Sequence, residues 1–145
     1  MADIIIRPVM AADAEPVTGL CRRLGYEATV AAVRSRIERA MGDAAGAVFV
    51  AEKDGLVAGW IQVSTRMTIE SGDGVEITGL VVDESERGRG IGKSLVRRAE
   101  EWAKELEYAS LRVRTNVVRA ETHRFYQRLG FVEAKRQTVF RKQLQ

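Results

Sequence analysis

The sequence predicts a mixed α/β domain in which helices pack against a β-sheet, with elements in the order β-α-α-β-β-β-α-β-α-β. Three observations carry that prediction. A two-residue turn signal, Asp54-Gly55, separates two apolar, β-prone runs. The apolar spacing then changes from strand-like to helix-like near residue 91. Finally, alternation returns at residues 109–115, where Leu111 and Val113 are interleaved with Arg112 and Arg114.

Each element has a local reason. Ile4, Ile5 and Ile6 are β-branched and form a first short strand. Asp13 is placed to cap a helix with Pro16 in its first turn, and Leu20 and Leu24 continue that helix to a stop at Gly25. Val30, Val33 and Ile37 give residues 28–40 helical spacing. Residues 47–53 and 56–65 form a hairpin around Asp54-Gly55, because glycine takes positive φ without cost. Residues 71–74 turn the chain into a further strand, 75–82. Ile91, Leu95, Ala99, Trp102, Ala103 and Leu106 then make one apolar stripe on a long helix. Val118, Thr122, Phe125 and Leu129 share a face of a last helix ending at Gly130, and residues 131–132 and 138–140 are the final strand candidates.

The 145 residues, 46% hydrophobic and 30% charged, suit one globular domain spanning 1–145 and exclude a disordered chain. Cys21 alone cannot close an internal disulfide, and the lone His123 leaves no Cys/His cluster for zinc, so no metal is expected. Apolar runs are strand-sized, too short for a membrane span. No basic segment followed by a long apolar run opens the chain, and the cytoplasm is the expected compartment. The net charge of +3 hides an asymmetry. Residues 1–86 hold 8 Lys/Arg against 14 Asp/Glu, whereas residues 87–145 hold 15 against 6. An acidic half joined to a basic half suggests two partners of opposite sign.

The most informative segment follows the strand at 75–82. Gly88, Gly90 and Gly92 alternate with Arg89 and Ile91, Arg87 precedes them, and Lys93 follows as a helix begins. Glycines let successive amides turn inward, and a helix start adds about half a positive charge, which makes an anion site for phosphate or pyrophosphate. A nucleotide-triphosphate loop G-x-x-x-x-G-K-[ST] fits Gly92-Lys93-Ser94 but requires glycine at Arg87. A dinucleotide fingerprint requires glycine at Lys93 or at Leu95. Both fail.

The pattern that fits is Arg87-x-x-Gly90-x-Gly92 directly after a strand, which resembles the pyrophosphate loop of the GNAT superfamily of acyl-CoA-dependent N-acyltransferases. A second region agrees: Asn116, Ala120 and the run from Phe125 and Tyr126 through Leu129, Gly130 and Phe131 resemble the family's N-x3-A-x4-F-Y-x2-L-G-F segment. The opening Ile6-Arg7-Pro8 before an Asp-capped helix is also similar. The resemblance implies a mostly antiparallel central sheet with helices on both faces, and acetyl-CoA as co-substrate in a V between the strands at 75–82 and 109–115. It implies that backbone groups of Leu80, Val81 and Val82 pair with the pantetheine. The pyrophosphate would rest on the amides of Gly88, Arg89, Gly90, Ile91, Gly92 and Lys93, with charge from Arg87 and Arg89, and Asn116 would touch the cofactor.

The acceptor implied by the resemblance is a primary amine, which must lose a proton. Glu76 stands at the strand position where several members carry a general base; as a residue it is equally readable as a solvated strand-edge group or as a binder of a cationic acceptor. Tyr126 stands at the general-acid position, where its phenol would donate to the CoA sulfur. Direct transfer in a ternary complex is expected, with Cys21 a small buried residue rather than an acyl carrier. Asp73, Glu76, Asp83, Glu84 and Glu86 would draw a cationic acceptor, such as a small polyamine or an aminoglycoside. Family members frequently dimerise, so a homodimer is an expectation without a sequence signature. Two readings of other classes compete. A basic nucleic-acid-binding module would use Arg112, Arg114, Arg119, Arg124, Arg128, Lys135 and Arg136, but it lacks exposed aromatic stacking residues, since Phe125 and Phe131 read as buried. A CoA-binding regulator without catalysis would need neither Glu76 nor Tyr126, yet both are present.

Overall fold

A computed structural model of the protein describes residues 3–115 and 119–145. The chain divides into two compact units, Met1–Arg114 and Thr115–Gln145.

The first unit holds a five-stranded sheet in sequence order: β1 (Ile4–Pro8), β2 (Gly46–Lys53), β3 (Leu56–Thr68), β4 (Gly72–Val82) and β5 (Arg112–Val113). The first four strands pair antiparallel, and β5 joins β4 in parallel. The β2–β3 hairpin turns on Asp54 and Gly55, with φ of 52° and 76°. Both central residues are left-handed, as the favoured two-residue hairpin turn requires. The next turn differs from the expectation: β3 continues to Thr68 and β4 already begins at Gly72. Cross-strand pairing with residues 65–68 extends the ladder through glycines that local propensity alone would leave in a turn.

Three helices cover both faces of this sheet. Helices α1 (Ala14–Arg23) and α2 (Val30–Met41) bury Ala14, Val17, Val33 and Ile37 against Val50, with Val48 and Trp60 packed alongside. Helix α3 (Ile91–Glu105) takes the opposite face, where Phe49, Ile61 and Val63 point, and buries Ile91, Leu95, Val96, Ala99 and Ala103. The side-chain period of two along β2 separates these sets cleanly, Val48 and Val50 to one side and Phe49 and Ala51 to the other. Arg98 of α3 lies over the Phe49 ring at 4.4 Å. Helix and sheet meet closely at Gly59, where a Cβ would lie 2.9 Å from the Val81 carbonyl oxygen and 3.2 Å from Ile91 Cγ2 and Leu95 Cδ1.

Asp13 stands at the start of α1, but its side chain does not cap that helix. Its carboxylate instead accepts from the Met10 amide at 2.7 Å and from two Arg7 nitrogens at 2.8 and 2.9 Å. A guanidinium fork satisfies both carboxylate oxygens at once, which a helix amide cannot do. Leu106, predicted on the buried stripe of α3, lies beyond its end and is 43% exposed. The strand predicted at residues 109–115 is only two residues long.

The second unit contains α4 (Ala120–Arg128). The helix stops at Gly130, with φ of 93°, and the amides of Leu129 and Phe131 return to the Tyr126 carbonyl at 3.0 Å. Val118, predicted on its face, lies outside the described residues. Residues 131–132 and 138–140 form no strand; Val132, Val139 and Phe140 are exposed. A strand needs an edge to pair with, and apolar composition alone does not supply one.

Candidate active site

In the first unit the parallel ladder between β4 and β5 consists of two pairs, Glu76 with Arg112 and Ile77 with Val113. On its other edge β4 stays paired with β3 as far as Val82. The described β4–β5 ladder ends with Ile77 and Val113, and among the described residues Leu80, Val81 and Val82 have ladder partners on the β3 side. The β3–β4 register slips beside Gln62 and Val63, so that Ile77 faces Val63, Gly79 faces Gln62, and Thr78 is an extra residue in β4. A bulge of this kind bends and twists the strand just beyond the last described β4–β5 pair. An unpaired strand edge is a template for an extended ligand.

Directly after β4 a short 3-10 turn at Glu84–Glu86 is fixed by Asp83, whose carboxylate accepts from the Ser85 amide at 3.1 Å. The chain then passes through Gly88 and Gly90, with φ of 80° and 84°, into α3. Gly90 is the N-cap and provides no side-chain cap, while the Gly90 carbonyl accepts from the Ser94 amide and hydroxyl at 3.0 and 2.9 Å. The residues around this start are exposed or partly exposed apart from Ile91, which anchors it in the core at 1% exposure. Arg87 and Arg89 stand beside it, facing Glu84 and Glu86 at 3.8 and 3.9 Å. Such a start, with left-handed glycines and the dipole end of a four-turn helix, attracts an anion.

Glu76 is less solvated than a strand-edge residue. Its side chain is 13% exposed, and Oε1 lies 3.3 Å from Arg112 Nε, 3.4 Å from Arg66 Nη1 and 3.5 Å from Arg114 Nε. Alternation and register explain the convergence. Glu76 pairs with Ser64 on one side and Arg112 on the other, and Arg66 and Arg114 lie two residues further along those neighbours, hence on the same face. The sequence reading placed Arg112 and Arg114 in a basic patch and missed Arg66; only strand register brings the three together.

In the second unit Tyr126 is the buried aromatic of α4, 7% exposed, and Phe125 and Phe131 are half-buried. Phe125 and Phe131, expected to be buried, instead meet the Tyr126 ring edge-on at 5.0 and 5.3 Å and enclose it. Burial pushes the Tyr126 phenol up to about 12. His123 is half-buried on the same helix. Asn116 lies outside the described residues. Burial also pushes the Cys21 thiol up, against smaller opposing effects of the Trp60 indole and Arg36.

Residues 17–131 match the sequence profile of the acetyltransferase (GNAT) family. The chain belongs to that family. Its fold is the GNAT fold as well: a solved AAC(6')-Iy in complex with the bisubstrate analogue CoA-S-monomethyl-acetylneamine superposes with a TM-score of 0.87 at 25% identity, covering 98% of this chain and 99% of that one. The crystal structure of a transcriptional regulator from Bacillus halodurans C-125 gives a TM-score of 0.83 at 26% identity, over 97% of this chain and 100% of that one. Among curated proteins, the N-acetylaspartate synthetase of Danio rerio is 35% identical over 83 residues, which are 57% of this GNAT chain and 28% of the relative. The match thus spans little more than a quarter of that curated relative's length. Among the described residues of this GNAT protein no helix is long and apolar enough to cross a membrane, and no group of three His, Cys, Asp or Glu is placed to hold a metal ion.

Proposed function

We propose that this protein transfers an acetyl group from acetyl-CoA to a primary amine, directly, with both substrates bound together. The observation that carries the proposal is the sequence of two features along one strand: Leu80, Val81 and Val82, which among the described residues pair only with β3, then an uncapped, glycine-shaped helix start. An extended amide arm ending in a pyrophosphate fits that succession. Backbone groups of the three edge residues would pair with the arm. The amides of Gly88, Arg89, Gly90, Ile91, Gly92 and Lys93 would receive the pyrophosphate, aided by Arg87 and Arg89, and Asn116 is proposed as a further contact. When bound, acetyl-CoA supplies an activated thioester carbonyl.

The chain's own residues handle the protons. An amine with an ordinary pKa near 10.4 is neutral in roughly one molecule in a few thousand at pH 7. We assign Glu76 to accept its proton, directly or through a water. Tyr126 is assigned to the departing sulfur. With the phenol near 12 and an ordinary thiol near 8.5, complete proton transfer would be uphill by roughly 5 kcal/mol. Tyr126 therefore acts by donating a hydrogen bond to the sulfur while keeping its proton. The raised Cys21 thiol is a poor nucleophile, which favours direct transfer over an acylated Cys21. The family match crosses both units, which supports 1–145 working as a single domain. A single free cysteine fits the reducing cytoplasm.

The acetylneamine complex of the structural neighbour supplies the competing reading, an aminoglycoside or small polyamine as acceptor. Thermal unfolding with acetyl-CoA, ATP and NAD tests the co-substrate first. At 100 times its Kd a ligand stabilises by about 2.7 kcal/mol, here a rise on the order of 5–15 °C. A shift with acetyl-CoA alone supports the proposal, and no shift removes it. An amine panel then separates an enzyme from a CoA-binding regulator, which would turn nothing over.

A further inference from the structure

The charges gathered around Glu76 do not balance. Arg66, Arg112 and Arg114 converge on the single Oε1 of Glu76, and among the described residues of the first unit no other carboxylate pairs with them. One carboxylate against three guanidiniums leaves a formal excess of two positive charges, with about five N–H donors on each guanidinium. The three arginine side chains are 25%, 31% and 57% exposed, so this face is within reach of a ligand.

Three of the four other acidic residues expected to attract a cation are matched elsewhere, and Asp73 lies on the opposite face of β4 from Glu76. Asp83 pairs with Arg23 at 2.9 Å, and Glu86 pairs with Lys53 at 2.7 Å and faces Arg89 at 3.9 Å. Glu84 faces Arg87 at 3.8 Å. The unmatched charge on the Glu76 face of β4 is thus positive.

We propose that Arg66, Arg112 and Arg114 form an anion subsite for the acceptor, so that the preferred acceptor is an amine that also carries a carboxylate. The inference rests on the acetyl-transfer reading above. Planar guanidiniums match a carboxylate with paired, parallel hydrogen bonds, and Glu76 holds the three at one spot without neutralising them.

The test follows acetyl transfer by the full chain to matched amines that differ in carboxylate against carboxamide. Glycine is compared with glycinamide, β-alanine with β-alaninamide, and aspartate with its diamide, with kanamycin and spermidine as polycations. The expected kcat/KM favours the carboxylates by roughly tenfold to a hundredfold. Arg114→Gln, at the most exposed of the three, and Arg66→Gln should shrink that ratio through acceptor KM. Calorimetry should leave their acetyl-CoA Kd unchanged. Amides or polycations used as well as the carboxylates overturn the subsite. So does a raised acetyl-CoA Kd with an intact acceptor ratio, which would assign the arginines to the co-substrate. Wild-type chain that binds acetyl-CoA yet acetylates none of the carboxylate amines overturns it too. Absence of acetyl-CoA binding is read in the calorimeter alone, and it removes the transfer reading on which the subsite stands.

Discussion

Arg7 and Asp13 are joined by two parallel hydrogen bonds, Nη1 to Oδ2 at 2.9 Å and Nη2 to Oδ1 at 2.8 Å. Asp13 is 5% exposed, and the same carboxylate receives the Met10 amide. The pair thereby fixes the corner between β1 and α1. Arg7→Met should destabilise by about 3 kcal/mol, since it leaves a buried charge unpaired. Urea unfolding at neutral pH would measure it, and a loss below about 1 kcal/mol would make this an ordinary surface pair.

The Arg7 hydrogen bonds hold the Asp13 carboxyl below its ordinary range. As pH falls the unfolded chain takes up its proton first, so this stabilisation is full at neutral pH and declines from about pH 4 downward. The stability gap between wild type and Asp13→Asn should therefore narrow in acid. A gap constant from pH 7 to pH 3 would contradict the assignment.

Gly90 caps α3 with φ of 84°, a conformation that a Cβ opposes by roughly 1–2 kcal/mol. Gly90→Ala should weaken acetyl-CoA binding by about tenfold on that scale, with no neighbour within 4 Å of the new methyl to blame. Calorimetric titration decides it. An unchanged Kd would mean that the loop does not hold the anion.

Tyr126→Phe keeps the ring between Phe125 and Phe131 and removes only the donor. Turnover should fall roughly tenfold to a hundredfold while the acetyl-CoA KM stays level. Because the phenol titrates near 12, wild type and variant should keep parallel pH–rate profiles up to about pH 10. A wild-type limb near neutrality that vanishes in the variant would show a different protonation role.

Glu76→Gln separates a base from a binding group. Loss of a proton acceptor should slow turnover near pH 7 and matter much less near pH 10, where about a quarter of the amine is already neutral. Removing the anion from the three guanidiniums should also lower KM for carboxylate-bearing amines. A pH-independent loss confined to KM would strip Glu76 of the base role.

What could be read from sequence was local. Asp54-Gly55 specifies its own turn, the stripe from Ile91 to Ala103 specifies its own buried face, and the alternate glycines after Val82 specify an anion site wherever the rest of the chain lies. The arginine cluster was invisible because Arg66 and Arg112 meet Glu76 only through the registers of two ladders. The slip at Thr78 has no residue signature either. Asp13 was misread because an N-cap position and a partner for Arg7 coincide in one residue, and the guanidinium fork prevails. The burial of Tyr126 has no signature in the helical phase of Thr122, Phe125 and Leu129, because Phe131 covers its ring from beyond the helix end.

The close seat of α3 on the sheet depends on an atom that Gly59 lacks. That helix begins with the glycine loop, so any side chain at position 59 must displace the Val81 carbonyl, Ile91 or Leu95 before the loop can take its place. In a directed-evolution experiment selecting for turnover, position 59 should stay glycine as stubbornly as the loop itself, although it would never touch either substrate.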